Sequence, residues 1–286
     1  MRAATKLRSR FASGRIAVAP GAYDGLSARL VEQAGFPAIY ASGGAIARSA
    51  GVPDLGLLSV SVVVDRLASM VDVVNVPIVA DADTGYGNVL NAQAAARAFE
   101  RSGVAAFHLE DQSFPKKCGH YDDKSLVPVG EMVQKLKAVR DALHEPDFVV
   151  IARTDAIAVE GFAAAIDRAG AYREAGADML FVEAPTTEAE IAAIAKSVSG
   201  WKLINMFEGG KTPLLPAAKL EALGYHLVII PSDTQRAAIK AMQRVLEAIG
   251  RDGSAAAMRE EMVSFKDREV LVDTAGYLDR SDRYGS

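Results

Sequence analysis

Short apolar runs alternate with longer amphipathic segments almost from end to end of this chain, and that alternation limits the possible folds more than any other feature. The runs fall at residues 16–19, 38–41, 78–82, 105–109, 148–153, 179–182, 202–206 and 227–231. They are apolar on both faces, as parallel strands must be when helices cover the sheet. The segments between them carry helical periodicity, for instance at 90–102 and 162–175. Gly35, Gly103, Gly176 and Gly224 close several of them, where a left-handed residue ends a helix before the next strand. Eight such units without a low-complexity linker predict one domain over 1–286, an α/β fold of the closed (β/α)8 TIM-barrel type rather than an open doubly wound sheet. No GxGxxG or Walker-type loop follows an early strand. Helical patterns then continue at 235–250 and 254–265, followed by a polar tail. This exceeds what closes a barrel, so residues 254–286 are expected to pack on a neighbouring subunit.

Composition narrows the function classes. The chain has 286 residues, 50% of them hydrophobic, enough for a large core. Its net charge of −4, from 32 basic and 36 acidic residues, argues against nucleic acid as a partner, which needs a concentrated basic face. Arg2, Lys6, Arg8, Arg10 and Arg15 cluster, and read as a solvated first helix rather than a binding arm. The apolar stretches are too short for a bilayer, so no membrane partner is expected. The first residues lack the apolar segment of a secretory signal; being Arg-rich and acid-free, they leave a transit peptide as the alternative. Cys118 is the only cysteine, so no intramolecular disulfide forms and a cytoplasmic location is expected.

In a barrel of this type functional groups gather at the C-terminal ends of strands. Asp81 and Asp83 are two apart and share one face of a strand, and Glu110 ends the neighbouring strand. Three such acids without Cys/His ligand pairs suit Mg²⁺ or Mn²⁺ rather than Zn²⁺; helix capping or pairing with Lys or Arg is the alternative. Ser42, Gly43 and Gly44 offer closely spaced backbone N–H groups for a substrate carboxylate, although an ordinary tight turn explains them equally well. Arg153 ends a buried strand, where its fork needs a carboxylate: a substrate's, or Glu183. Cys118 is by default a structural residue. Lys116, Lys117 and His120 around it argue instead for a lowered pKa and a role in proton transfer. The polar, irregular stretch 114–124 has the composition of a lid. His108 reads as a hydrogen-bonded core residue, His144 and His226 as surface or turn positions.

Together the motifs VADADTGYGN at 79–88, HLEDQSFPKKCGH at 108–120, IARTDA at 151–156 and FVEAP at 181–185 resemble the isocitrate lyase/phosphoenolpyruvate mutase superfamily. PDLG at 53–56 and NMFEGGKTP at 205–213 add to the resemblance, which covers about residues 5–250. It implies a barrel whose last helix is swapped between subunits of a homotetramer, a dimer of dimers. It further implies that Asp83 binds Mg²⁺ most directly, Asp81 and Glu110 largely through water, with Asp54 in support. Ser42, Gly43, Gly44 and Arg153 would hold a pyruvate-like moiety. Tyr40 would be the base and Cys118 the acid, while Lys116, Gly119 and His120 would belong to a gating loop. Glu183, Asn205 and Thr212 would complete the pocket.

The KKCGH segment resembles the carbon–carbon lyases of the superfamily, above all the 2-methylisocitrate lyase and 2,3-dimethylmalate lyase branch. The expected partner is a small-molecule carboxylate, cleaved at C2–C3 to pyruvate plus an acid such as succinate or propionate. Carboxyphosphonoenolpyruvate-type phosphonomutase and oxaloacetate hydrolase are the alternatives on the same barrel. A tricarboxylate would need further cations. Arg236 follows strand eight, but the tail around residues 265–272 does not match the methylisocitrate lyases, leaving Lys266 or Arg268 as substitutes.

Overall fold

The computed structural model describes residues 1–117, 119 and 123–285. Eight parallel strands close into a barrel in chain order: β1 (Ala17–Ala22), β2 (Ile39–Ala41), β3 (Ile78–Asp81), β4 (Ala106–Glu110), β5 (Val149–Thr154), β6 (Met179–Val182), β7 (Trp201–Asn205) and β8 (Leu227–Ile230). Closure comes from β1 pairing with β8, Ala17 opposite Leu227 and Ala19 opposite Ile229. Every run marked by continuous apolarity is thus a strand, displaced by a few residues at its ends.

The first helix, α1 (Ala3–Ala12), precedes the barrel. Around the sheet run α2 (Gly25–Gln33), the short α3 (Gly43–Ser49), α4 (Val60–Val71), α5 (Val89–Arg101), α6 (Val129–Ala142), the short α7 (Ala156–Val159), α8 (Phe162–Glu174), α9 (Glu188–Ser197) and α10 (Ala217–Leu223). Side-chain caps set several starts: Asp24, Ser59, Asn88 and Thr187 each accept from a backbone N–H of the first turn. Gly35, Gly103, Gly176 and Gly224 take φ of +82°, +87°, +105° and +91°, as the turn pattern demands.

Two apolar layers result from the strand pleat. Outward residues such as Phe107 and Phe148 pack against the helices with Leu67, Phe99 and Tyr172. Inward residues such as Val79, Ile151, Met179 and Leu203 fill the barrel. The first helix belongs to that inner layer, because Ala4, Leu7 and Phe11 lie on one of its faces and are buried with the inward residues. It is not the solvated helix its charges suggested. Arg8 pairs with Asp178 at 2.9 Å and stacks over Trp201, Lys6 reaches the Asn75 carbonyl and Arg10 the Ile16 carbonyl. A basic run can read as solvated and still be fixed by partners far along the chain.

The chain divides into two compact units, Met1–Asp233 and Thr234–Ser286. The second contains most of α11 (Asp233–Asp252), a 3-10 segment (Ala256–Glu261), α12 (Phe265–Leu271) and α13 (Thr274–Tyr284). The tail that reads as polar is therefore helical; Ser264 caps α12 by accepting from the Asp267 N–H at 3.1 Å. Ile239, Met242, Leu246, Val263, Phe265 and Leu278 stay exposed in this unit. Among the described residues no helix is long and apolar enough to cross a membrane.

Candidate active site

The pleat that builds the inner core also builds the site. Two residues beyond Ala38, Val79, Ala106, Ile151, Phe181 and Leu203, the same parity delivers Tyr40, Asp81, His108, Arg153, Glu183 and Asn205 to the C-terminal end of the barrel. Glu110 follows His108 by the same step. Register sets neighbours side by side: Asp81 opposite His108, and Glu110 opposite Arg153. All of these polar residues are buried.

Tyr40, His108 and Asp81 form one group. The Tyr40 hydroxyl lies 2.7 Å from His108 Nε2 and 3.4 Å from Asp81 Oδ2. His108 Nδ1 is buried without a hydrogen-bond partner. Carrying its proton there would bury an unmatched donor, so the Nε2–H tautomer is favoured and Tyr40 oxygen accepts from it. Tyr40 then points its own proton at Asp81. Burial holds His108 below its usual pKa and keeps the ring neutral, although Asp81 opposes this. Burial, with Asp81, also pushes the Tyr40 phenol well above 10, while Arg153 and Lys116 pull it back. Burial likewise works against the Asp81 carboxylate, yet the cations Lys116 and Arg153 and the Asp83 N–H at 3.0 Å keep it below the usual range.

Lys116 is the cation of a second group. Its buried ammonium pairs with Asp54 and, at 2.7 Å, with Asp83 Oδ1. Burial raises Asp83 to about 6, and Lys116 only partly offsets it. Asp83 takes a left-handed backbone, φ +46°, and Ala184, beside Glu183, has φ +59°. For alanine that conformation costs about 1–2 kcal/mol. Such strain collects where a strand end is bent toward a functional site. Gly43 lies so close to Asp81 that a Cβ there would come within 2.7 Å of Oδ2, so the Ser42–Gly44 turn needs its missing side chain for this approach. Ser42 caps α3 by accepting from the Ala45 N–H at 3.2 Å.

Arg153 is the third centre. Asp155 takes its Nε and Nη2 hydrogens at 2.9 and 3.0 Å, Glu110 Oε2 lies 3.3 Å from Nη1, and Glu183 Oε1 lies 3.9 Å from Nη2. Glu183 is thus a distant partner and Asp155 the main one. Asn205 Nδ2 donates to Glu183 Oε1 at 3.3 Å. The Thr212 hydroxyl is buried without a hydrogen-bond partner.

Whether these residues suit a metal can be judged from their own state. Glu110 Oε1 is buried and accepts no hydrogen bond, and burial pushes its carboxyl well above the usual range despite Arg153. Asp83 Oδ1 has only its ion pair. An all-oxygen set of this kind fits a hard divalent cation. Among the described residues no three His, Cys, Asp or Glu side chains are gathered tightly enough to enclose an ion.

Sequence reasoning thus named most of the strand-end groups that the barrel brings together. Cys118 and His120 lie outside the described residues. Of the lysines flanking Cys118 in sequence, Lys116 pairs with Asp54 and Asp83, and Lys117 donates to the Asp123 carbonyl at 2.9 Å. Arg236 is an exposed residue of α11 in the second unit. The stretch holding Lys116 and Gly119 is pinned at its base, where Gln112 bridges Leu126 and Ser113 donates to the Ser125 carbonyl. Asp155 and Lys124 were missed, and His108 was placed in the core without its partner Tyr40. The signal for Asp155 was present, since it follows Arg153 by two and shares its face.

Carboxylates, an arginine and a lysine gathered at the C-terminal rim of a (β/α)8 barrel place this chain among the barrel enzymes. The family description for phosphoenolpyruvate phosphomutase matches residues 7–250, and the chain belongs to that family. A 2,3-dimethylmalate lyase of Eubacterium barkeri is 43% identical, covering 95% of this chain and 94% of that protein. A 2-methylisocitrate lyase of Bacillus subtilis is 43% identical, covering 96% and 90%. A chloroplastic carboxyvinyl-carboxyphosphonate phosphorylmutase of Arabidopsis thaliana is 40% identical, covering 95% and 81%. Among solved structures, a 2,3-dimethylmalate lyase described as a PEP mutase/isocitrate lyase superfamily member superposes with TM-score 0.95 at 34% identity, covering 100% and 96%. An oxaloacetate acetylhydrolase reaches 0.94 at 30% identity, covering 99% and 97%. A phosphonopyruvate hydrolase complexed with oxalate and Mg²⁺ reaches 0.92 at 34%, covering 100% of both chains.

Proposed function

We propose that this enzyme cleaves the C2–C3 bond of a 2-hydroxy di- or tricarboxylate, of the 2-alkylmalate or 2-methylisocitrate type, releasing pyruvate and a second acid such as propionate or succinate. The observation that carries the reading is the rim cluster of buried Tyr40, Asp81, Glu110 and Arg153 with half-buried Asp83, and its unpartnered Glu110 oxygen. The likeness to proteins named as lyases supports this reaction over the others.

Arg153 Nη1 and the Ser42–Gly44 turn hold the pyruvate-like carboxylate and orient the substrate. Tyr40 takes the proton of the C2 hydroxyl; burial and Asp81 oppose the phenolate this requires, and Arg153 and Lys116 offset them in part. The C2–C3 electron pair leaves with the departing acid, the C2 oxygen becomes the carbonyl of pyruvate, and Cys118 delivers a proton to the departing carbon. Asp83, with Asp81 and Glu110 through water and Asp54 behind them, would hold Mg²⁺ or Mn²⁺, which supplies Lewis acidity that lowers the hydroxyl pKa and offsets charge growing on oxygen. Thr212, Asn205 and Glu183 face the rest of the substrate.

Pyruvate release from a panel of 2-alkylmalates, 2-methylisocitrate and oxaloacetate tests this. Pyruvate should appear with at least one 2-hydroxy acid, and from oxaloacetate no faster than its metal-promoted decarboxylation without enzyme. Oxalate and acetate from oxaloacetate, with no pyruvate from any hydroxy acid, would replace the lyase by the hydrolase.

Residues 254–286 are proposed to pack on a second subunit of a homotetramer, which would cover the exposed Val263, Phe265 and Leu278. A chain ending at residue 253 should lose the tetramer in light scattering or fail to fold. A tetramer unchanged by the truncation would end that idea.

A further inference from the structure

Three carboxylates, Asp155, Glu110 and Glu183, face the one guanidinium of Arg153. That is a poor setting for a further carboxylate from a ligand, because Asp155 already takes two of the guanidinium's hydrogens and buried like charges repel far more strongly than they do in water. A second buried cation relieves it. Lys124 Nζ donates to Asp155 Oδ1 at 2.7 Å, and both side chains are almost fully excluded from solvent. The Asp155 backbone N–H is itself anchored on Asp111 Oδ1 at 3.0 Å, so the shared carboxylate has little room to move.

The same ammonium also donates to the Gly119 carbonyl. Gly119 lies directly on Arg153: a Cβ at this position would come within 2.3 Å of Nη2 and 2.5 Å of Glu183 Oε1. A closed path of contacts therefore runs from Arg153 through Asp155 and Lys124 to Gly119 and back to Arg153.

We infer that Lys124 is a positioning residue for Arg153, sharing Asp155 so that the guanidinium keeps positive charge for a ligand carboxylate and holding the Gly119 backbone against it. This rests on the carboxylate-binding role proposed above for Arg153. Without the lysine, Asp155 would compensate Arg153 alone and the group around the guanidinium would be one charge more negative.

Oxalate, titrated calorimetrically at saturating Mg²⁺, is the probe. Lys124→Gln keeps an N–H donor for Gly119 and Asp155 but no charge, and should weaken oxalate binding about tenfold or more, the usual worth of a charge-assisted contact in a dry site. Adding Asp155→Asn removes the stranded negative charge and should return affinity to within about threefold of wild type, a recovery that a purely structural lysine would not produce. Wild-type affinity in Lys124→Gln, or a double variant weaker than the single one, overturns the inference. If Lys124→Gln does not fold, the double variant decides by itself: near-wild-type affinity upholds the inference and a loss beyond about tenfold overturns it. A wild type that does not bind oxalate overturns the carboxylate reading of the site, and this inference with it.

Discussion

Asp83→Ala should reduce turnover by more than about 10³-fold while leaving the barrel folded, since a group that offsets developing charge in a dry site is worth several kcal/mol. The fold should survive because Asp83 lies at the barrel rim, outside both apolar layers, and because burial already works against its ionised form. The substitution does not strand Lys116, which keeps Asp54 as partner. Circular dichroism should therefore be unchanged, with turnover lost. Chelation gives the companion result. Excess EDTA should silence the wild type, and added Mg²⁺ should restore it. Full activity in excess chelator would remove the metal from the proposed function and leave Lys116 as the principal counter-ion of Asp54 and Asp83.

The second large effect is expected at Cys118. C–C cleavage requires a proton for the departing carbon, so Cys118→Ala should lower kcat by about 10²–10⁴-fold, the usual worth of a positioned acid. Phosphoryl migration needs no such proton. Binding of pyruvate with Mg²⁺ should change little, because Arg153 and the Ser42–Gly44 turn hold that half of the substrate. Cys118→Ser should rescue poorly, a hydroxyl being a much weaker acid than a thiol. In D₂O the wild type should place one deuterium on the released acid, read by NMR. If Cys118→Ala cleaves a confirmed substrate at near wild-type rate, the proton comes from elsewhere and the lyase proposal loses its acid.

Periodicity and parity made most of the site legible. A residue two beyond an inward apolar residue is itself inward, which was enough to bring Tyr40, Asp81 and Arg153 to one rim. Glycine placement carried the turns. Charge was less informative. The basic cluster of the first helix looked solvated because nothing local identifies Asp178 or Trp201 as partners for Arg8. Nor does anything local to Lys116 identify Asp54, 62 residues away, as its partner.

What the sequence determined by itself was the order of strands and helices, the barrel they close, and which residues reach its C-terminal end. These follow from local rules: an apolar run buried on both faces, a period of two along a strand, a glycine where φ must be positive. What only the tertiary structure decided was the pairing among the residues so delivered. Tyr40 meets His108 across 68 residues, and Lys124 meets Asp155 across 31. Strand register, and the path of the loop after β4, set those meetings. Once such groups are buried together, burial and neighbouring charge shift their pKa values, downward at His108 and upward at Asp83. Neither effect is written in any short stretch of chain, because a charge in a dry site responds to whatever surrounds it in space.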